Sequence, residues 1–194
     1  MTAEIHPDIG EVLISADEIQ DKIRELSKQI TEDYRGKDLL LVGVLKGAFV
    51  FMSDLARGIQ LPIEFDFMAV SSYGSATKSS GVVRILKDLD YEITDRHVLL
   101  VEDIIDSGLT ISYLLRYLEA RRPASLEICS LFWKKGEQAV PMDVKYPGFE
   151  IPAVFVVGYG LDYMEKYRNL PYIGVLKEEA YSRDNGEPHS PDGG

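Results

Sequence analysis

Apolar positions along the chain switch between a helical and an extended period. Ile19, Ile23, Leu26 and Ile30 recur at helical spacing behind Ser15-Ala-Asp-Glu18, a capping box in which hydroxyl and carboxylate serve each other's backbone amide. This predicts a first helix that closes near Gly36. Residues 39–45 form an unbroken apolar run, the pattern of a strand buried on both faces. Lys46 and Gly47 then turn the chain, and residues 48–56 read as a helix. Residues 63–70 alternate apolar and polar, as a strand does. Residues 71–81 are rich in Ser and Gly, contain Tyr73 and carry Lys78 as their only charge, which predicts a mobile loop. Residues 82–86 return as the second arm of a long hairpin. Further strands are expected at 98–101, 125–133, 153–159 and 172–176, and a helix opens at Thr110 with Ile111, Leu114, Leu115 and Leu118 on one face. From Arg183 the chain is polar and rich in Pro and Gly, the composition of a disordered tail.

Strands separated by helices predict an α/β fold with a mostly parallel twisted sheet covered on both faces. Ligands of such sheets bind beyond the carboxyl ends of the strands. Lys46, the group Glu102, Asp103 and Asp106, then Lys134 and Asp162 each follow an expected strand, so one rim of the sheet would collect them.

The 194 residues fit one domain, and 45% hydrophobic residues suffice for a sizeable core. A net charge of −11, from 32 acids against 21 bases, argues against a nucleic-acid or membrane surface. A polyanionic small molecule must then be held by local devices: backbone amides, a few placed cations and a divalent metal. The single cysteine, Cys129, lies in an apolar run and reads as a core residue rather than a nucleophile; a chain without a disulfide suits the reducing cytoplasm. No apolar run is long enough to span a bilayer, and the N-terminus lacks a signal-peptide pattern. His6, His97 and His189 have no metal-ligand spacing.

Residues 98–110, Val-Leu-Leu-Val-Glu-Asp-Ile-Ile-Asp-Ser-Gly-Leu-Thr, carry the densest chemistry. A strand runs into acids, a small-residue turn and a helix N-terminus, whose free N–H groups bind a phosphate. The acids can hold ribose hydroxyls, a metal or a proton. One acid here would read as a helix cap; three acids ahead of Ser-Gly-Leu-Thr form a site. The stretch resembles the signature of the phosphoribosyltransferases. With Val44 to Ala48, Ser71 to Gly74, Lys134, Val154 to Tyr163 and Arg168, in that order, nearly the whole chain is similar to the hypoxanthine–guanine phosphoribosyltransferases. Ser107 stands where other members commonly carry Thr, and the hydroxyl is kept.

The resemblance implies a type I phosphoribosyltransferase fold over residues 1–183, with a core at about 37–176, a flexible catalytic loop and a small hood from the N- and C-terminal segments. It implies transfer of 5-phosphoribosyl from its pyrophosphate to hypoxanthine or guanine, with release of diphosphate, and it implies a homodimer or homotetramer. Asp106 would be the general base at purine N7. Glu102 and Asp103 would hold the ribose hydroxyls, directly or through magnesium, and Asp162 would reach a second magnesium through water. Ser107, Gly108, Leu109 and Thr110 would grip the 5-phosphate. Lys46 and Gly47, after a cis peptide bond, would bind the diphosphate with Arg168, which is expected on a helix. Ser72 and Tyr73 would close over the site. Lys134 would donate to the purine O6, since an ammonium only donates and opposes the amino group of adenine. Phe155 would stack on the purine, and the Val156 carbonyl would accept from it.

Three rivals compete. A regulator on the same fold that controls nucleic acid would need a basic surface. A magnesium-dependent hydrolase would need an aspartate on the first strand, where Leu45-Lys46-Gly47 stands. A pyrimidine transferase is less consistent with Lys134 and Phe155.

Overall fold

The computed structural model describes residues 4–73, 82–134, 136 and 139–184. Its main sheet has six strands in the order β4-β3-β2-β5-β6-β7. These are β2 (Leu39–Leu45), β3 (Glu64–Tyr73), β4 (Val82–Lys87), β5 (His97–Ile105), β6 (Ser125–Lys134) and β7 (Tyr146–Ile151). β2, β3, β5, β6 and β7 pair in parallel, and β4 is an antiparallel edge on β3. The helices are α1 (Ala16–Asp33), α2 (Ala48–Gly58), α3 (Leu109–Glu119) and α4 (Glu178–Asp184).

The apolar strands divide their side chains between two cores, as the period of two requires. Leu39 and Leu41 with Leu99 and Val101 face α1 and α2, where Ile19, Ile23, Leu26, Ile30, Phe51 and Leu55 meet them. Leu40 and Val42 with Val98 and Leu100 face α3, where Ile111, Leu114 and Leu118 meet them. The capping box at Ser15 and Glu18 forms as the spacing predicts. Cys129 is buried in the first core.

β1 (Ile9–Ile14) pairs antiparallel with β8 (Ile173–Leu176) in a separate two-stranded sheet. It carries its own cluster of Ile9, Val157, Leu170, Tyr172, Leu176 and Ala180. Among the described residues, no helix is long and apolar enough to cross a membrane.

Four local expectations are corrected. Residues 153–159 are not a strand; they make an isolated bridge from Val157 to Gly174. Gly158, Tyr159 and Gly160 have φ of 105°, 44° and 100°, and left-handed residues cannot continue an extended segment. The sixth sheet strand is instead β7, whose Pro147 and Gly148 resemble a turn but are tolerated at an edge. β5 runs through Glu102 and Asp103 to Ile105, because β6 continues to pair with it past the acids. Arg183 and Asp184 end α4 rather than beginning a disordered tail; residues 185–194 lie outside the described residues.

Gly148 marks how closely β7 sits on β6: a Cβ there would meet the Leu131 carbonyl oxygen at 2.2 Å. Gly148→Ala is expected to destabilise the protein by about 1–3 kcal/mol through overpacking. Ser15→Ala, which removes only the cap, should cost about 1 kcal/mol. Urea denaturation of both variants checks the values, and a neutral Gly148→Ala would contradict the tight edge.

Candidate active site

Asp106 and Lys134 come together through strand register. β5 and β6 run in parallel with Ile104 opposite Phe132 and Ile105 opposite Trp133. The next residue on each chain is Asp106 and Lys134, so the two side chains leave the strand ends side by side. Lys134 Nζ donates to Asp106 Oδ2 at 2.8 Å. Lys134 is mostly buried at 17% exposure, whereas Asp106 is 56% exposed. An acceptor and a donor of fixed sign thus stand side by side, with Asp106 lining a cleft.

The cleft beside them has a volume of about 280 Å³ and reaches Gly47, Asp103, Ser107 and Thr110. One wall is the turn into α3. Gly108 has φ 76° and, as the residue before α3, has no side chain to cap the helix; the Ser107 hydroxyl accepts from the Leu109 N–H at a long 3.5 Å. The first-turn N–H groups carry the positive end of the helix dipole toward the cleft. No acid occupies that first turn, so nothing in the helix cancels this end.

The opposite wall is acidic. Glu102 is 5% exposed, and burial followed by the charge of Asp103 pushes its carboxyl well above the usual range. Burial raises Asp103 to about 6, opposed by the N–H of Ile104, which donates to Asp103 Oδ1 at 2.8 Å. Gly47 faces them, and a Cβ there would lie 1.6 Å from Asp103 Oδ2. Gly160 in turn backs Gly47, with a Cβ position 2.2 Å from the Gly47 carbonyl oxygen. Two positions without side chains therefore let the turn after β2, Asp103 and the 158–160 bend pack in one place. The peptide bond from Leu45 to Lys46 is cis, as the resemblance implies.

The remaining expected residues sort into three groups. Lys46, Asp162 and Arg168 are joined at the diphosphate side of the expected layout. Arg168 Nη2 lies 2.9 Å from Asp162 Oδ1, and Arg168 Nη1 donates to the Gly160 carbonyl at 2.8 Å. Arg168 lies in a segment of turns rather than on a helix, and Asp162 follows the 158–160 bend rather than a strand. Phe155 is 50% exposed and takes edge contacts from Tyr163 and Tyr181 at 5.9 and 6.3 Å. That leaves ring surface open, unlike a core aromatic. Val156 is buried. Ser72 and Tyr73 end β3, where their backbones pair with Val83 and Val82; residues 74–81 of the expected loop lie outside the described residues.

Two features escaped the sequence reading. Glu165 lies 3.2 Å from Lys46 Nζ, a contact made by a turn with no periodic signal. Tyr181, on α4, belongs to the aromatic group around Phe155, but its helix is too short for periodicity to show.

The residues present fit magnesium of one kind. Among the described residues, no group of three or more His, Cys, Asp or Glu could enclose a metal. Asp103 lines the cleft, and both carboxylate oxygens of Asp162 already have protein partners. One or two carboxylates with waters and substrate oxygens is the usual magnesium arrangement.

Comparison with known proteins agrees with this geometry. A family model for the phosphoribosyl transferase domain matches residues 15–164. A hypoxanthine-guanine phosphoribosyltransferase of Mycobacterium avium is 56% identical over 188 residues, 93% of each chain. Among solved structures, a hypoxanthine phosphoribosyltransferase from Staphylococcus aureus matches with TM-score 0.88 and 48% identity, covering 93% of this chain and 98% of that one. A Trypanosoma cruzi hypoxanthine phosphoribosyl transferase matches with TM-score 0.89 and 39% identity, over 95% and 100% of the two chains. The mostly parallel sheet, the separate strand pair and the acidic strand end are thus those of a type I phosphoribosyltransferase, and the chain belongs to the hypoxanthine-guanine phosphoribosyltransferase family.

Proposed function

We propose that this enzyme transfers 5-phosphoribosyl from 5-phosphoribosyl 1-pyrophosphate to hypoxanthine or guanine, releasing diphosphate and forming IMP or GMP. The observation that carries the reading is the 2.8 Å pairing of Asp106, which lines the cleft, with Lys134. A 6-oxopurine presents an acceptor at O6 and, beside it, a ring nitrogen whose proton must be handled at N7. A base entering between the two residues exchanges their mutual contact for one bond to each. Lys134 donates to O6, and Asp106 takes or shares the N7 proton as N9 attacks the anomeric carbon. Adenine offers an N–H donor where Lys134 needs an acceptor, and a mismatch at so buried a donor is strongly discriminating. Phe155 offers an open ring face for stacking, and the Val156 carbonyl reads the far edge of the base.

Ser107, Gly108, Leu109 and Thr110 surround the N-terminus of α3, which supports binding of the 5-phosphate. Glu102 and Asp103 face the ribose hydroxyls; a carboxyl that keeps its proton donates, and an ionised one accepts. Magnesium, held by Asp103 with Glu102 behind it and through water by Asp162, would supply neutralising charge on the leaving diphosphate. Lys46, the Gly47 backbone and Arg168 add fixed positive charge on that side, where negative charge grows in the transition state. Ser72 and Tyr73, at the end of β3, are placed to carry a covering loop that excludes water.

The enzyme is expected to be a homodimer or homotetramer. Phe49 and Phe65 are 49% and 45% exposed, on a cleft of about 380 Å³ that they share with Met52 and Phe67. Apolar surface of this kind favours association of copies. The single buried cysteine fits a cytoplasmic enzyme.

Three outcomes follow. Asp106→Asn should lower turnover by about 100- to 10,000-fold while retaining phosphoribosyl pyrophosphate binding by calorimetry; undiminished turnover would remove it as the base. Lys134→Gln, whose amide both donates and accepts, should lower kcat/KM for hypoxanthine about 10- to 100-fold and narrow the preference over adenine. Asp103 must be ionised to act and is raised to about 6, so kcat/KM for the sugar substrate should fall as pH drops through that value. A flat profile from pH 7.5 to 5 would contradict a working Asp103 carboxylate.

A further inference from the structure

One carboxylate oxygen bridges the two cations on the diphosphate side. Glu165 Oε2 lies 3.2 Å from Lys46 Nζ and 3.2 Å from Arg168 Nη2. Such a bridge between an ammonium and a guanidinium is also the position that a diphosphate oxygen would take. Glu165 arrives there on an irregular turn: Met164, Glu165 and Tyr167 have φ of 50°, 63° and 74°. The Glu165 amide donates to Asp162 Oδ2 at 2.8 Å, which ties the turn to the site.

The partners differ in how firmly they are held. Lys46 and Glu165 are 66% and 64% exposed, so their contact is weak and readily exchanged. Arg168 is 21% exposed and fixed independently by Asp162 and the Gly160 carbonyl. Taking Glu165 away therefore releases Lys46 without loosening Arg168.

We propose that Glu165 is an internal competitor of the diphosphate: its carboxylate bridges Lys46 and Arg168 and is displaced when diphosphate oxygens bind them. It thereby weakens diphosphate binding and speeds product release. The proposal rests on the assignment of Lys46 and Arg168 to the diphosphate made above. A carboxylate that instead served to prop up the two cations would act with the opposite sign, so affinity decides.

The experiment titrates inorganic diphosphate with magnesium into the wild-type enzyme and the variants Glu165→Gln, Glu165→Asp, Lys46→Ala and Arg168→Gln, by calorimetry. Glu165→Gln should bind diphosphate roughly three- to tenfold more tightly, the range for losing two weak ion pairs. It should also lower both kcat and the KM for phosphoribosyl pyrophosphate. Glu165→Asp keeps the charge but shortens the reach, and should tighten binding too; wild-type affinity in that variant would reduce the effect to general charge and overturn the bridge. Unchanged or weaker binding in Glu165→Gln overturns the competitor role. Lys46→Ala and Arg168→Gln test the underlying assignment: if neither weakens diphosphate binding, that assignment fails whatever Glu165 does.

Discussion

Everything at this site depends on the register between β5 and β6. Because Ile105 stands opposite Trp133, the next residue of each strand delivers a carboxylate and an ammonium to the same point, 2.8 Å apart. A one-residue slip would send one of them to the other face of the sheet. The register is protected by burial: Val98, Leu100 and Ile128 fill one core, and Leu99, Val101 and Cys129 the other. Asp106 and Lys134 are thus positioned by strands buried on both faces.

The second constraint is electrostatic. A protein with net charge −11 holds a substrate that is itself a polyanion. Under the proposed function it would do so with positive elements that are local and directed: the N-terminus of α3, Lys46 and Arg168. Of the acids that line the cleft, Glu102 and Asp103 are restrained by burial, which raises both carboxyls above their ordinary range. Gly47 and Gly160 make this crowding geometrically feasible, since a single Cβ at either would occupy the space of Asp103 or of the Gly47 carbonyl.

Much of this was readable from residues alone, because the main elements repeat a strong period. The capped helix from Ser15, the apolar runs that became β2, β5 and β6, and the turn into α3 all stand where the pattern places them. Local pattern failed where long-range pairing overrides it. β7 hides behind Pro147 and Gly148, and 153–159 look like a strand although residues 158–160 are left-handed. Strand β1 was not expected as a strand, since its partner β8 lies at the far end of the chain. At the site, Asp106 and Lys134 were legible because each adjoins a strand end. Glu165 and the true setting of Arg168 were not, because turns carry no period.

The central claim is that a donor-only ammonium and a proton-accepting carboxylate read a 6-oxopurine together. Its most direct test is a side-by-side measurement of initial rates of nucleotide formation by the wild-type enzyme. Hypoxanthine, guanine, adenine and uracil would each be supplied singly with phosphoribosyl pyrophosphate and magnesium. Hypoxanthine and guanine should turn over, with little product from adenine or uracil. Adenine turned over as fast as hypoxanthine would contradict it.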